Sequence, residues 1–377
     1  MSDSLLNQLA QFGQSIWLDY ISRPMLENGQ LKQRIENGLR GMTSNPSIFN
    51  TAIGSSNDYD KAIVALKAQG KSTFEIYDEL TIRDIQQAAD HFKEVFEKTN
   101  RLDGYVSLEI NPLLAHKVQE QVNEGIRLFQ KVNRPNVMIK VPSTKAGFAV
   151  IEELIANGIN VNVTLIFSLQ QYEETVAAYR KGLARAAQAG KDLSLIRSVA
   201  SVFISRIDSA VDKLLDEQHA QVNDADTKKQ LKSLMGKAAV ANSRIIFEKF
   251  KELFAETEFT ALAAKGAHIQ RVLWGSTSTK NPQYSDIKYI TELIAQPTVN
   301  TVPENTLNAF LDHGKVQDAF TEDPKTSFAV IAALKQNGID IDAINAKLLK
   351  DGCEAFDKAF EDLLKSLEKK AAELCVK

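Results

Sequence analysis

With only two cysteines in 377 residues, Cys353 and Cys375, and neither in a CxxC spacing, the chain cannot be a disulfide scaffold or a thiolate metal centre. A reducing compartment accounts for both. No run approaches 18 consecutive apolar residues, so no membrane span is expected. The opening MSDSLLNQLAQFGQSIW has neither the basic start nor the apolar stretch of a secretory leader, and a cytoplasmic location is expected. A formal net charge of -3 supplies no broad positive field, which argues against nucleic acid as a partner. No two glycines stand two apart, so a GxGxxG dinucleotide loop is absent. The GKS at 70–72 lacks the first glycine of a P-loop and follows a helical pattern. His91, His116, His219, His268 and His313 are scattered without metal-ligand spacing, so neither a metal nor a cofactor is expected.

What the chain does have is alternation. Eight strand-like runs are separated by helical patterns: SIWLDYIS, GLRGMTSN, GYVSLEIN, NVMIKVPS, NVNVTLIFS, SVASVFIS, IQRVLWGSTS and PTVNTVP. The connections read as helices rather than tight turns, so parallel crossovers follow. The predicted fold is α/β, a (β/α)8 TIM barrel with additional helices, with an open doubly wound sheet as the alternative. One domain spanning 1–377 is expected. Residues 212–265 form a charge-rich helical hairpin on the outside, and 341–377 a helical tail folding over one barrel end. Ser143 is the expected N-cap of the helix after the fourth run, and Gly158 its stop.

The strands carry polar residues where apolar ones would pack. In the fifth run Val161, Val163, Leu165 and Phe167 share one face; Asn160, Asn162, Thr164 and Ser168 share the other, with Ile166. Asp19, Asn45, Glu109, Lys140, Ser201 and Ser276 lie in or at the ends of the others. Such side chains converge at the C-terminal mouth of a barrel, where these folds build active sites.

Lys140 is the sharpest signal, lying between Ile139 and Val141. A lysine in apolar surroundings gives up its proton more readily, and its amine then attacks a carbonyl. Asp19 and Glu109 offer the proton transfers that Schiff-base chemistry needs, and Thr164 a hydroxyl to hold a water. A buried charge network without turnover would use the same residues. Arg206, at the end of its strand, offers a guanidinium fork for phosphate, and the run from Gly275 to Lys280 offers hydroxyls and a cation near strand seven.

These residues stand in segments that resemble a known family. WLDYISR (17–23), GMTSNPSIF (41–49), NVMIKVPST (136–144) and GINVNVTLIFS (158–168) look like the signature segments of transaldolases, and SLEINP (107–112) and SVFISRID (201–208) are similar to the intervening ones. GSTSTKNPQYSD and PTVNTVP look like the longer bacterial and cyanobacterial branch. The resemblance implies a cofactor-free enzyme of the pentose phosphate pathway. It would transfer a dihydroxyacetone unit from sedoheptulose 7-phosphate to glyceraldehyde 3-phosphate, giving erythrose 4-phosphate and fructose 6-phosphate. It implies Lys140 as the Schiff-base lysine, Asp19 at the proton of the cleaved bond, and Glu109 with Thr164 at the water. It further implies Asn45, Asn162 and Ser201 on the donor hydroxyls and Arg206 on the phosphate.

One departure concerns the second phosphate ligand. The better-known branch has an arginine after the strand-seven loop. Here the loop is one residue longer and the nearest cation is Lys280, so Ser276, Ser278 and Lys280 are assigned to the phosphate by position. Two rival readings remain at this level. A fructose 6-phosphate aldolase shares the barrel and the lysine, but has a tyrosine proton donor where this chain has Phe203. A non-catalytic sugar-phosphate-binding barrel would not need Lys140, Asp19 and Glu109 together. Either a monomer or a homodimer is compatible with the sequence.

Overall fold

A computed structural model describes residues 4–375; the first three residues and the last two of the expected tail lie outside it. Each of the eight runs holds a strand, β1 beginning one residue before its run: β1 Gln14–Leu18, β2 Gly41–Thr43, β3 Tyr105–Glu109, β4 Val137–Pro142, β5 Val161–Ile166, β6 Ser198–Phe203, β7 Arg271–Gly275 and β8 Thr298–Val302. They close into a barrel in sequence order, with β8 pairing back onto β1 and every pair parallel. The closed barrel, not the open sheet, is the architecture, and helices surround it.

Period-two alternation sorts side chains between the outer helices and the barrel interior. Lowest inside lies a buried ion pair, Arg271 to Asp103 at 2.8 Å, with Ser15 Oγ donating to Asp103 Oδ2 at 2.7 Å. Above it Trp17, Tyr105, Met138, Val199, Leu273 and Val299 form a buried cluster separate from the main core. Gly41 is needed here, because a Cβ at that position would lie 2.6 Å from the Trp17 ring. One more step of two brings Asp19, Thr43, Lys140, Ser201 and Thr301 to the C-terminal mouth, and two such steps from Tyr105, through Ser107, bring Glu109.

Three local expectations are corrected. Thr144, not Ser143, caps the Lys145–Ala156 helix, accepting from Gly147 N at 3.0 Å, while Ser143 Oγ donates to the Leu165 carbonyl. The two-residue alternation of β5 breaks between Val163 and Ile166, where Leu165 takes a left-handed backbone with φ 61°. Leu165 therefore leaves the outer face and packs at the mouth. Ser168, expected on the inner face, instead caps the Leu169–Gln188 helix. Asn160 ties strand ends together, donating to the Pro135 carbonyl and accepting from Arg197 N.

The segment expected as a hairpin from Asp212 is four helices, Ser205–Gln221, Ala225–Leu234, Ala238–Ala255 and Thr257–Ala263, forming the β6–β7 crossover. Helix begins directly after β6, which places Asp212 mid-helix. The tail is a single 35-residue helix, Ile341–Cys375, about 50 Å long. Gly352, Phe356, Phe360, Leu363 and Leu367 make its buried stripe at helical spacing. That stripe crosses the mouth and docks on the Pro46–Ser55 helix, and beyond it Lys370 pairs with Asp60 of the Asp60–Ala68 helix at 2.8 Å. No helix among the described residues is long and apolar enough to cross a membrane.

Candidate active site

The mouth encloses a cavity of about 190 Å³. Asp19, Asn45, Lys140, Asn162, Thr164 and Ser201 line its strand side, and Phe203, Arg206, Ser276, Ser278 and Lys280 its β6–β7 side. Of the twelve residues expected from sequence, only Glu109 is not on its wall. Glu109 lies behind Lys140, lining a smaller cavity with Cys353 and Phe356 beneath the terminal helix.

Lys140 is buried. Its Nζ donates to the Ser44 carbonyl at 3.0 Å and lies 3.4 Å from Glu109 Oε2. The second contact is an ion pair without hydrogen-bond geometry, so Glu109 Oε2 has no hydrogen-bond partner among the described residues; nor has Thr164 Oγ1. Both are buried, and both point to a site built to hydrogen-bond something other than protein. Burial raises the Glu109 carboxyl above the ordinary carboxylate range; the Lys140 charge opposes that rise and Asp19 adds to it. Burial likewise raises Asp19, against the pull of Lys140 and a 2.7 Å hydrogen bond from Thr43 Oγ1. Two carboxyls flank one amine, and both hold protons more readily than carboxyls in water.

Side chains around the amine are fixed by hydrogen bonds. Ser201 Oγ donates to Asn162 Oδ1 at 2.6 Å, and Asn162 Nδ2 donates to Ser107 Oγ at 3.0 Å. Asn45 caps the Pro46–Ser55 helix through Oδ1, accepting from Ile48 N, which leaves its amide donors for the cavity. Arg206 stands in the first turn of the Ser205–Gln221 helix rather than in a strand, 5.5 Å over the Phe203 ring. Burial lowers its pKa from the usual arginine value. Ser276 reaches the mouth through a left-handed backbone, φ 55°, not through strand alternation, and Lys280 is exposed at the rim.

A family model described as Transaldolase/Fructose-6-phosphate aldolase matches residues 16–367. The chain belongs to the transaldolase/fructose-6-phosphate aldolase family. Curated relatives include Transaldolase 2 of Nostoc sp. (strain PCC 7120), 44% identical over 374 residues and covering 98% of each chain. Transaldolase of Trichodesmium erythraeum is 43% identical over 372 residues, again 98% of each chain. Transaldolase 1 of Streptomyces avermitilis is 44% identical over 364 residues, 96% of this chain and 94% of its own.

In this member of the transaldolase/fructose-6-phosphate aldolase family, sequence reading missed Phe356. It comes from the terminal helix, lines the cavity, and has its ring centroid 5.8 Å from Lys140 Nζ. Its spacing marks it only as one residue of an apolar stripe. Thr43 and Thr301, hydrogen-bonded to each other at 2.7 Å, were also missed, although the inward parity of β2 and β8 could have found them.

Proposed function

We propose that this chain is a transaldolase that forms a Schiff base at Lys140, moves a dihydroxyacetone unit between phosphorylated sugars and needs no cofactor. The observation that carries this reading is the buried amine flanked by two carboxyls at the mouth of a barrel of this family. Glu109, 3.4 Å from Lys140 Nζ, takes the proton of Lys140 through a water held with Thr164, and the neutral amine adds to the ketose carbonyl. Loss of water from the carbinolamine leaves the imine, with Glu109 and Thr164 holding that water. Asp19 takes the proton from the hydroxyl at C4 as the C3–C4 bond breaks, releasing an aldehyde and leaving an enamine on Lys140. The enamine adds to an acceptor aldehyde, Asp19 returns the proton, and hydrolysis frees the product. Asn45, Asn162 and Ser201 hold the donor hydroxyls. Arg206 holds the phosphate, with Ser276, Ser278 and Lys280 around it; a lysine there contributes a point charge rather than a fork.

Transfer is favoured over simple cleavage because release of free dihydroxyacetone requires protonation of the enamine. Position 203 bears phenylalanine, packed edge-on against Phe167 at 5.5 Å, and offers no proton. Fructose 6-phosphate should be consumed at an appreciable rate only when erythrose 4-phosphate is present. Equal rates with and without the acceptor would make the chain an aldolase.

Arg206→Ala should lower kcat/KM for fructose 6-phosphate by about 10- to 100-fold, the range of one or two charge-assisted hydrogen bonds. Unphosphorylated fructose should lose little. Paired steady-state kinetics on the two donors check this, and an equal loss on both would remove Arg206 from the phosphate.

A further inference from the structure

The barrel mouth is not the only cavity among the described residues, and another is larger. A second one of about 650 Å³ lies on the barrel wall, between the Ala238–Ala255 helix, the Lys325–Gln336 helix and the 314–324 loop, and shares no residue with the first. Arg244 lines it and is only 5% exposed. Its Nε and Nη2 are sealed from solvent and have no hydrogen-bond partner among the described residues. No carboxylate among the described residues pairs with it either, and of the acids on the cavity wall Glu292 is taken up by Lys288 at 2.7 Å. The guanidinium has one contact of its own kind, stacking 5.5 Å from the Phe320 ring.

A buried, unpaired guanidinium is costly, and a single ring face does not offset that cost. Native proteins bury arginine with a partner, so five unused donors point to a partner that comes from outside the chain. Arg244 nonetheless lines the cavity, so the occupant meets this side chain there. No hydrogen bond holds the guanidinium in place, so it can turn its fork towards an anion without breaking one. Lys237 and Lys315, both exposed, stand on the same wall and add positive charge at the entrance. Asp318, Glu322 and Thr321 complete the lining with groups that accept hydrogen bonds from hydroxyls.

We propose that this cavity is a second ligand site, which takes a small organic phosphate bearing hydroxyl groups, with the phosphate on Arg244 and the hydroxyls towards Asp318, Glu322 and Thr321. The volume falls within the usual range for small-molecule sites. A phosphate matches the guanidinium fork, whereas the acids on the wall would repel a polyanion and suit a polyol. The occupant would bridge the Ala238–Ala255 helix to the 314–324 loop and so stabilise the fold by mass action.

The probe is glucitol 6-phosphate, which has no carbonyl and so cannot react at Lys140. Calorimetric titration in an Arg206→Ala background silences the phosphate end of the barrel mouth. One site should remain there. Adding Arg244→Met should weaken it at least about tenfold, and Arg244→Lys, which keeps the charge but not the fork, should fall between. Without probe, Arg244→Met should melt no lower than wild type and retain full transfer activity, because it removes an unpaired charge far from the chemistry. The probe should raise the melting temperature of wild type but not of Arg244→Met. The proposal is overturned if the Arg206→Ala protein binds nothing at about 10 mM probe, or if Arg244→Met leaves that binding unchanged. A large drop in melting temperature for both Arg244 variants without probe would also overturn it, since the guanidinium would then have a structural partner.

Discussion

Lys140→Met should lose transfer activity by on the order of 10⁴-fold or more, because it deletes the nucleophile rather than one of its helpers. The readout is borohydride trapping: wild type incubated with fructose 6-phosphate should carry a three-carbon adduct on Lys140, and the variant none anywhere. An adduct at another lysine would move the chemistry away from this residue. The same substitution has a stability consequence with a definite sign. Lys140 now opposes the burial that raises the Glu109 pKa. Without it that carboxyl rises further above its unfolded value. A carboxyl with a raised folded pKa is accommodated as the neutral acid at low pH, and stability is lost as pH rises through the interval between the two values. The stability deficit of Lys140→Met against wild type should therefore be small in acid and grow with pH. It should approach about 3–5 kcal/mol, the usual cost of removing one partner of a buried pair. Denaturant unfolding at several pH values checks this, and adding Glu109→Gln should recover most of the deficit.

Asp19→Asn should lower kcat by about 10²- to 10⁴-fold while leaving the trapped adduct in place. The substitution is nearly isosteric, and its Oδ1 still accepts from Thr43 Oγ1, so the geometry of the mouth is kept. What it removes is the group that takes the proton from the cleaved C4 hydroxyl, a step after imine formation. The adduct should therefore accumulate in its uncleaved six-carbon form, which mass spectrometry separates from the three-carbon one. A three-carbon adduct forming at the wild-type rate would show that another group takes that proton. The pH profile carries a second test. Burial holds the Asp19 pKa above its ordinary value, and the group must be ionised to act as a base. The acid limb of wild-type kcat should lie at higher pH than an ordinary aspartate would set, and Asp19→Asn should lose the part of that limb due to this group.

How much of the site could be read beforehand depends on how local the signal is. Asp19, Glu109, Lys140, Asn162 and Ser201 stand out because a polar residue interrupts an apolar strand, which is visible within a few neighbours. Leu165 was misplaced because a left-handed residue inside a strand breaks the two-residue count, and nothing in NVNVTLIFS announces it. Arg206 was expected at a strand end and stands in the first turn of a helix, because the helix follows β6 without a loop. Phe356 was invisible as a site residue. Its place in an apolar stripe is a local fact, but the surface that stripe covers is set by how the terminal helix docks on the Pro46–Ser55 helix, some 300 positions earlier. Gly352 belongs to the same contact: a Cβ there would come 2.9 Å from Leu165 Cδ2, so the close approach of helix to barrel needs glycine. Arg244 gave no signal at all, since an arginine in a helix is expected to reach solvent.

The order of strands and helices, the inward parity of the strands up to the break at Leu165 and the residue types carrying the chemistry were determined by the sequence alone, because each rests on a period of two or 3.6 residues within one segment. The tertiary structure decided that the eight parities meet at one mouth, that Glu109 stands behind Lys140 rather than beside the cavity, and that a helix from the far end of the chain closes over them. Those are distances between segments remote in sequence, fixed by barrel closure and side-chain packing, and no local pattern encodes them.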